Sequence, residues 1–109
     1  MKPCLLFLSC KNTEEADKIS YKLLSEKLIV CAKKIPINSS YLWKNKIEST
    51  QEALLIMDSI EENFEKTDEE VKKLHSYKTY NLAMAKINKI NDEALKWLQH
   101  NLLHPNVTL

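Results

Sequence analysis

The sequence of 109 residues contains no glycine. Phosphate-binding loops of the Walker and dinucleotide types need glycine, because their backbone approaches the phosphate closely and adopts positive φ angles. We therefore do not expect a kinase, a GTPase or a Rossmann-type dehydrogenase. Any tight turn in this chain must use another residue at positive φ, and asparagine is the residue best suited to it.

The sequence also lacks a strong net charge and a long apolar run. Sixteen basic and fifteen acidic residues give a net charge of +1, too small to attract nucleic acid or an anionic membrane. No apolar run approaches the roughly 18–20 residues of a membrane-spanning helix. The apolar stretch "CLLFLSC" at residues 4–10 fits a strand of the mature domain better than a secretion signal. We expect no nucleic-acid partner and no membrane span.

Cysteine is scarce and irregularly spaced. Cys4, Cys10 and Cys31 are odd in number and form no C-x-x-C pair, so neither a disulfide framework nor a zinc knuckle is indicated. Reduced thiols are the rule in the cytosol, so the sequence predicts a cytoplasmic protein. Cys4 and Cys10 share one face of a strand but lie about 20 Å apart, too far to bind one ion together.

The first half of the chain has the pattern of a strand, a helix and a long hairpin. Residues 4–10 form the strand, and Asn12 with Glu15 has the capping-box spacing that starts a helix. "LIVCAKKIPI" predicts the next strand, in which Pro36 marks a bulge or an edge position. The turn "KNK" places Asn45 where a positive φ is needed, and "ALLIMDSI" runs back as the partner strand.

The second half has the pattern of a helix, a strand and a final helix. Ser59 and Glu62 form a second capping-box pattern, "TYNLAMAKI" has strand composition, and Asn91 precedes a helix that ends before Pro105. The order β-α-β-β-α-β-α predicts a single α+β domain over residues 1–109, a ferredoxin-like split β-α-β with an extra C-terminal helix. In that helix "HNLLH" spaces His100 and His104 by four, but without the glutamate of metalloprotease sites.

Five stretches in order resemble one known family: "EKLIVCAKKIP", "YLWKNKIE", "EALLIMDS", "LHSY" and "KWL". The chain is similar over essentially its whole length to the CutA family, the divalent-cation tolerance proteins. The most specific parts are the cysteine followed five residues later by proline, the Tyr-x-Trp-Lys hairpin and the histidine-aromatic step. The resemblance implies a ferredoxin-like fold and a tight PII-like homotrimer in which long hairpin strands pair between subunits. A long hairpin on a small domain would otherwise leave unpaired edges in solvent, and Trp43 near its tip is then an interface residue.

The resemblance also implies a role in the response to divalent metals, with copper binding. Cys31 and His75 stand at matching positions and are the candidate ligands, since thiolate and imidazole are good donors for copper. No obligatory cofactor is implied. Two other roles remain open for these residues: Cys31 can be a small buried hydrophobe, and His75 can bind the last carbonyls of a lysine-rich helix.

The sequence departs from the family just after His75. The family usually continues "H-x-Y-E-x-P-E", whereas this chain reads "HSYKTYN", with Lys78, Tyr80 and Asn81 at the changed positions. Two negative charges are lost and one positive charge is gained. A lysine close to a metal site opposes cation binding by Coulomb repulsion.

Two functions therefore remain under consideration. The first is a trimeric copper-binding or divalent-metal response protein of the CutA type. The second is a PII-like trimeric scaffold that binds a small molecule or a protein partner without metal, with Tyr41, Trp43, Lys44 and Tyr77 lining clefts between subunits. No serine or cysteine has a base and an orienting acid nearby in the sequence, so we do not expect an enzyme.

Overall fold

The computed structural model describes residues 1–102, so that His104 and Pro105 lie outside the described residues. The elements are β1 (Pro3–Cys10), α1 (Thr13–Ser25), β2 (Cys31–Trp43), β3 (Lys46–Ile60), a 3₁₀ turn (Glu61–Asn63), α2 (Phe64–Leu74), β4 (Leu82–Lys86) and α3 (Asp92–Asn101). The predicted order of strands and helices is confirmed. No helix in the described part is long and apolar enough to cross a membrane.

The four strands form one antiparallel sheet in the order β2-β3-β1-β4. β1 and β2 run parallel to each other on either side of β3, which is the split β-α-β arrangement. Cys10 pairs with Ala53, and Pro3 pairs with Ile60 at the other end of β1. Pro36 lies opposite Ala53 in the edge strand β2 without a break in the register, so of its two predicted positions the edge is correct.

The two faces of the sheet differ in their cover. On one face the alternate β1 residues from Cys4 to Cys10 are fully buried under α1 and α2, against side chains such as Ile19 and Val71. Burial of a leucine side chain such as Leu6 or Leu8 contributes about 1.5–3 kcal/mol to folding. The opposite face, here called the open face, carries Leu5, Phe7, Ile35, Leu54 and Ile56, which stay partly exposed. The described part of the chain therefore covers β1 fully on one side only.

Capping interactions set both ends of α1. The Glu15 N–H donates to Asn12 Oδ1 at 2.9 Å, which confirms the predicted cap, and Glu15 Oε1 accepts from the Lys11 N–H at 2.9 Å. At the other end Lys27 adopts a left-handed φ of 59°. The Leu28 N–H then donates to the carbonyl of Leu23 at 2.9 Å, the bond pattern of a Schellman motif.

The long hairpin closes through two residues. Lys44 and Asn45 have φ angles of 51° and 66°, the combination of a type I′ turn, which matches the twist of the strands. The prediction for Asn45 is confirmed. Lys44 shares the left-handed conformation, which the sequence did not indicate. Pairing of β3 with β1 ends at Ala53, whereas its pairing with β2 continues to the turn, and the longest dimension of the described part of the chain is 47 Å.

The second predicted capping box is wrong. Ser59 lies inside β3, and its hydroxyl donates to the carbonyl of Leu28 at 2.7 Å instead of capping α2. Pairing of Ile60 with Pro3 keeps the backbone extended past Ser59, so a tertiary ladder overrides the local capping signal. Asn91 precedes α3 as predicted, although its side chain makes no capping hydrogen bond.

Candidate metal centre

The ends of three elements meet on the helical side of the sheet. Cys10 is the last residue of β1, Glu15 lies in the first turn of α1, and His75 follows the last residue of α2. The His75 N–H donates to the carbonyl of Val71 at 2.8 Å and ends that helix, after which the backbone is extended. We call Cys10, Glu15, His75, Tyr77 and Tyr80 the histidine corner. The His75 side chain is fully buried there.

The hydrogen bonds of the imidazole define its tautomer. Nε2 of His75 lies 2.8 Å from the carbonyl oxygen of Ser9, and a carbonyl can only accept, so Nε2 carries the proton. Nδ1 accepts from the Tyr77 N–H at 3.1 Å. The ring is therefore neutral in this arrangement, with its lone pair on Nδ1. The ring therefore bonds to a carbonyl of β1 and not to the last carbonyls of its own helix, which was the alternative role for His75.

Two tyrosines enclose the imidazole. Tyr80 stacks on His75 with ring centroids 5.1 Å apart and planes inclined by 16°, while Tyr77 lies at 5.0 Å and 44°. The Tyr77 hydroxyl donates to Glu52 Oε2 at 2.7 Å, and the Tyr80 hydroxyl donates to the carboxylate of Asp68. Burial and the bond to Asp68 raise the pKa of Tyr80 to about 12, and burial and the bond to Glu52 raise that of Tyr77. Both phenols therefore stay protonated at neutral pH.

Glu15 supplies the negative charge of the corner. Its Oε1 lies 3.6 Å from His75 Nδ1, and its Oε2 accepts from the Ser76 N–H at 2.9 Å. Burial alone would raise the pKa of Glu15, but the hydrogen bonds from Lys11 and Ser76 outweigh it and hold the pKa below its usual value. The carboxylate is thus ionised and already fixed in place by backbone N–H groups.

Cys10, Glu15 and His75 form a donor set for a metal ion. One ligand atom from each, the Cys10 Sγ, a Glu15 oxygen and a His75 ring nitrogen, lies within 4.8 Å of the other two. Sulfur, imidazole and carboxylate together suit Zn²⁺ and copper better than Mg²⁺ or Ca²⁺. Burial, with the charges of Glu15 and Glu52, raises the pKa of Cys10 to about 12, so the metal-free thiol is neutral and must lose its proton on binding.

Cys31 lies elsewhere. It pairs with Asp58 on the open face, and five residues of β3, about 17 Å, separate that position from Ala53, the partner of Cys10. Its Sγ is 3.8 Å from Lys33 Nζ, which also binds Asp58 at 2.9 Å. Within one chain the structure does not bring Cys31 and His75 together.

Sequence reasoning missed Cys10 and Glu15 as site residues. Cys10 is buried at the end of β1, and a cysteine in an apolar run gives no sign that another element packs beside it. The signal for Glu15 was its capping-box position, which places it in the first turn of α1, five residues after Cys10. The sequence could not show that the end of α2 packs against both.

The three residues that depart from the family pattern point in different directions. Lys78 and Asn81 are exposed, whereas Tyr80 turns into the histidine corner. Solvent screens the charge of an exposed lysine, which weakens the repulsion expected from Lys78.

The predicted cleft residues lie in two places, the hairpin and the histidine corner. Trp43 and Lys44 lie at its tip, whereas Tyr77 lies in the corner next to Glu52. Tyr41 contributes electrostatically to the raised pKa of Tyr77, behind burial and Glu52. A groove of about 440 Å³ runs between the start of α1 and the hairpin, and is lined by Lys11, Asn12, Thr13, Pro36, Ile37, Asn38, Gln51 and Glu52. Along the hairpin, Trp43 and Lys44 lie nearer to the tip than Tyr41 does.

Comparisons with known proteins identify the family. Residues 4–101 match the family model described as CutA1 divalent ion tolerance protein. The chain belongs to the CutA family. It is 33% identical over 99 residues to the divalent-cation tolerance protein CutA of Thermotoga maritima, covering 91% of this chain and 98% of that protein. The structure of the periplasmic divalent cation tolerance protein CutA from Archaeoglobus fulgidus has a TM-score of 0.89 at 31% identity, covering 91% of this chain and 97% of that one.

The predicted cytoplasmic location is wrong as an inference from this sequence. The A. fulgidus CutA is described as periplasmic. The Arabidopsis thaliana CutA, 29% identical over 98 residues and covering 89% of this chain and 54% of that protein, is named chloroplastic. The inference rested on free thiols, and two of the three are buried, so solvent redox conditions do not act on them directly. Free cysteines in such a fold do not indicate a compartment.

Proposed function

We propose that this CutA family member binds a divalent transition-metal ion, copper foremost, at the histidine corner and acts in the response to such ions. The observation that carries the proposal is the approach of Cys10, Glu15 and His75 to within 4.8 Å. The chemistry of the donors and the description of the family, divalent ion tolerance, point the same way. The proposed role is reversible binding without chemical turnover.

The corner residues have separate parts in such binding. Glu15 is already ionised, and the Lys11 and Ser76 N–H groups orient its two oxygens. The carbonyl of Ser9 fixes the Nε2–H tautomer of His75, the kind of outer partner that commonly orients metal-ligating histidines. Binding of an ion would require two changes: the Cys10 thiol would release its proton to solvent, and the Tyr77 N–H would give up its bond to Nδ1. Because a proton is released, affinity increases with pH.

Competition titration tests the proposal directly. Cu²⁺ is titrated against a strong chelator, and Zn²⁺ in parallel because it is not reduced by a thiol. His75→Gln and Glu15→Gln keep size and hydrogen-bonding capacity, and we expect each to weaken binding at least tenfold. His100→Gln, on an exposed residue of α3, is the matched control and leaves the affinity unchanged. Equal affinities of all four proteins would refute the site.

We further propose that the protein is a homotrimer of PII-like architecture. The support is the open face together with the hairpin, where Leu42, Trp43 and Ile47 are 74%, 50% and 80% exposed in the single chain. Leu42 and Ile47 are cross-strand partners on one face of the hairpin, and Trp43 lies on the other face. Large apolar side chains exposed together in this way mark association surfaces. Cys31 lies on the open face. It can join a metal site with His75 only if the two residues come from different subunits. Cys31→Ser in the titration tests that contribution, and it weakens binding only if such a shared site forms.

A PII-like trimeric scaffold that binds a small molecule or partner without metal is the second candidate. The groove beside the hairpin favours it, since it adjoins Glu52, the partner of Tyr77. In the assembly we propose, Tyr41, Trp43 and Lys44 of one subunit extend towards a neighbouring subunit and supply aromatic faces and a cation for an anionic ligand. Thermal-shift assays with nucleotides, bicarbonate and carboxylates test this in chelator-treated protein. A shift lost in Lys44→Ala and kept in Lys89→Ala supports it, and no shift with any compound counts against it.

A further inference from the structure

We propose that Tyr80, anchored by Asp68, is a positioning residue for His75. The Tyr80 ring keeps the imidazole in the plane in which Nδ1 points towards Glu15. In that plane the imidazole keeps its Nε2–H tautomer. The consequence for metal affinity rests on the proposed function of the histidine corner. The orientation of the ring stands on the geometry alone.

The stacking geometry defines the plane of the imidazole. The Tyr80 and His75 rings are nearly parallel, inclined by 16° at a centroid separation of 5.1 Å. Tyr77 is tilted by 44° and therefore does not set that plane. Rotation of the imidazole about its Cβ–Cγ bond would lift its edge into the face of Tyr80. The stack thus opposes the motion that would turn Nδ1 away from Glu15.

The anchor of Tyr80 ties it to the helix that carries His75. The phenol donates to the carboxylate of Asp68 and also lies 3.4 Å from the Asp68 carbonyl. Asp68 and His75 are seven residues apart along α2 and its end, two helical turns, so they lie on one side of the helix. Tyr80 therefore spans from Asp68 to His75 and keeps a fixed position over the imidazole.

The remaining contacts of the imidazole act at its edge. The carbonyl of Ser9 accepts a hydrogen bond from Nε2–H, and the Tyr77 N–H donates one to Nδ1. These bonds select the tautomer only while the ring stays in their plane, because hydrogen bonds weaken steeply when misaligned. Once the Tyr80 ring is removed, both bonds can be lost by one rotation. The tautomer then becomes a mixture.

The test compares Tyr80→Leu, which removes the ring, with Tyr80→Phe, which keeps the ring and removes the bond to Asp68. Tyr21→Leu is the matched control, since Tyr21 is 75% exposed on α1. The first measurement is ¹⁵N NMR of His75 in chelator-treated protein. We expect the two separate nitrogen shifts of a single Nε2–H tautomer in wild type and in Tyr21→Leu, and partly averaged shifts in Tyr80→Leu.

The second measurement is Zn²⁺ affinity. We expect the Kd to rise about tenfold in Tyr80→Leu, as when an outer partner of a ligating histidine is lost, and by less in Tyr80→Phe. A lower Tm in a folded Tyr80→Leu with unchanged His75 shifts overturns the inference, because a purely structural role predicts that result. If Tyr80→Leu does not fold, Tyr80→Met, which also removes the ring, takes its place: averaged shifts support the inference and wild-type shifts overturn it. If wild type binds no Zn²⁺ or Cu²⁺, the proposed function fails and the NMR measurement still decides the role of Tyr80.

Discussion

The histidine corner and the tip of the hairpin are both rich in aromatic residues but differ in what surrounds them. In the corner, Tyr77 and Tyr80 are bound through their hydroxyls to Glu52 and Asp68, and His75 is fully buried between them. At the tip, residues 41–47, aromatic and aliphatic side chains are exposed and make no such hydrogen bond within residues 1–102. The corner therefore draws these partners from the described part of one chain, whereas the tip would draw them from a neighbouring subunit in the homotrimer proposed above.

The largest effect is expected from a change inside the corner. His75→Ala removes the bonds to Ser9 and Tyr77 and leaves a cavity between two tyrosine rings, so we expect the free energy of unfolding to fall by about 3 kcal/mol. Urea denaturation at fixed protein concentration measures it. The exposed His100→Ala is the control and stays within about 0.5 kcal/mol of wild type. Similar losses in both variants would show that the corner is not a stabilising cluster.

A change at the tip is expected to act on association instead. Ile47→Asp places a charge on a side chain that is 80% exposed in the single chain. If that side chain is buried between subunits, the change costs about 2 kcal/mol or more of association free energy, and light scattering shows a mass falling towards 12.7 kDa. Far-UV circular dichroism stays that of wild type. Tyr21→Asp, with the same charge on another exposed aromatic position, keeps the oligomer. A wild-type monomer would remove the proposed assembly.

A smaller effect is expected from the charge of the corner. Because the folded-state pKa of Glu15 is lowered below its ordinary value of 4.5, its stabilisation is fully present above that value and is lost as the pH falls through the folded-state pKa. In chelator-treated protein, Glu15→Gln should be less stable than wild type by about 1 kcal/mol near neutrality, since an amide accepts weaker hydrogen bonds than a carboxylate. Denaturation curves should converge below about pH 4.5. A gap that stays constant down to acid pH would contradict this account.

The smallest effect is expected at the turn. Asn45 has a φ of 66°, a conformation that glycine adopts without a steric cost. Asn45→Gly should therefore raise the free energy of unfolding by roughly 0.5 kcal/mol, while Asn45→Val should lower it, because a β-branched residue is disfavoured at positive φ. Thermal melting of the three proteins at one concentration measures the order. Equal stability of the valine variant would mean that the turn changes its type.

Elements defined by local pattern were predictable, and those defined by distant contacts were not. The cap at Asn12 and the turn at Asn45 follow from short-range chemistry, and both are present. The cap expected at Ser59 failed because pairing of β3 with β1 extends the strand. That pairing joins segments far apart in the sequence, and no local signal reports it.

The candidate site shows the same limit. His75 could be chosen from the sequence because the family resemblance marks it. Cys10 and Glu15 could not be assigned to it, because their approach depends on how the ends of β1, α1 and α2 converge. Cys31, chosen with His75, lies on the opposite face of the sheet within one chain. Parity along β2 places a side chain on one face or the other only when the register with β3 is known.

The place of β1 in the middle of the sheet has a consequence for the order in which the chain can fold. β2 and β3 are joined by two residues and can pair as soon as both exist, on the microsecond scale typical of hairpins. Of the four described strands β1 is made first, yet its partners are β3 and β4, and β4 is the last of the four to leave the ribosome. Its apolar residues therefore stay without a complete sheet through most of synthesis. We expect β1 to be the segment that a chaperone holds on the nascent chain and the one whose docking limits the rate of folding.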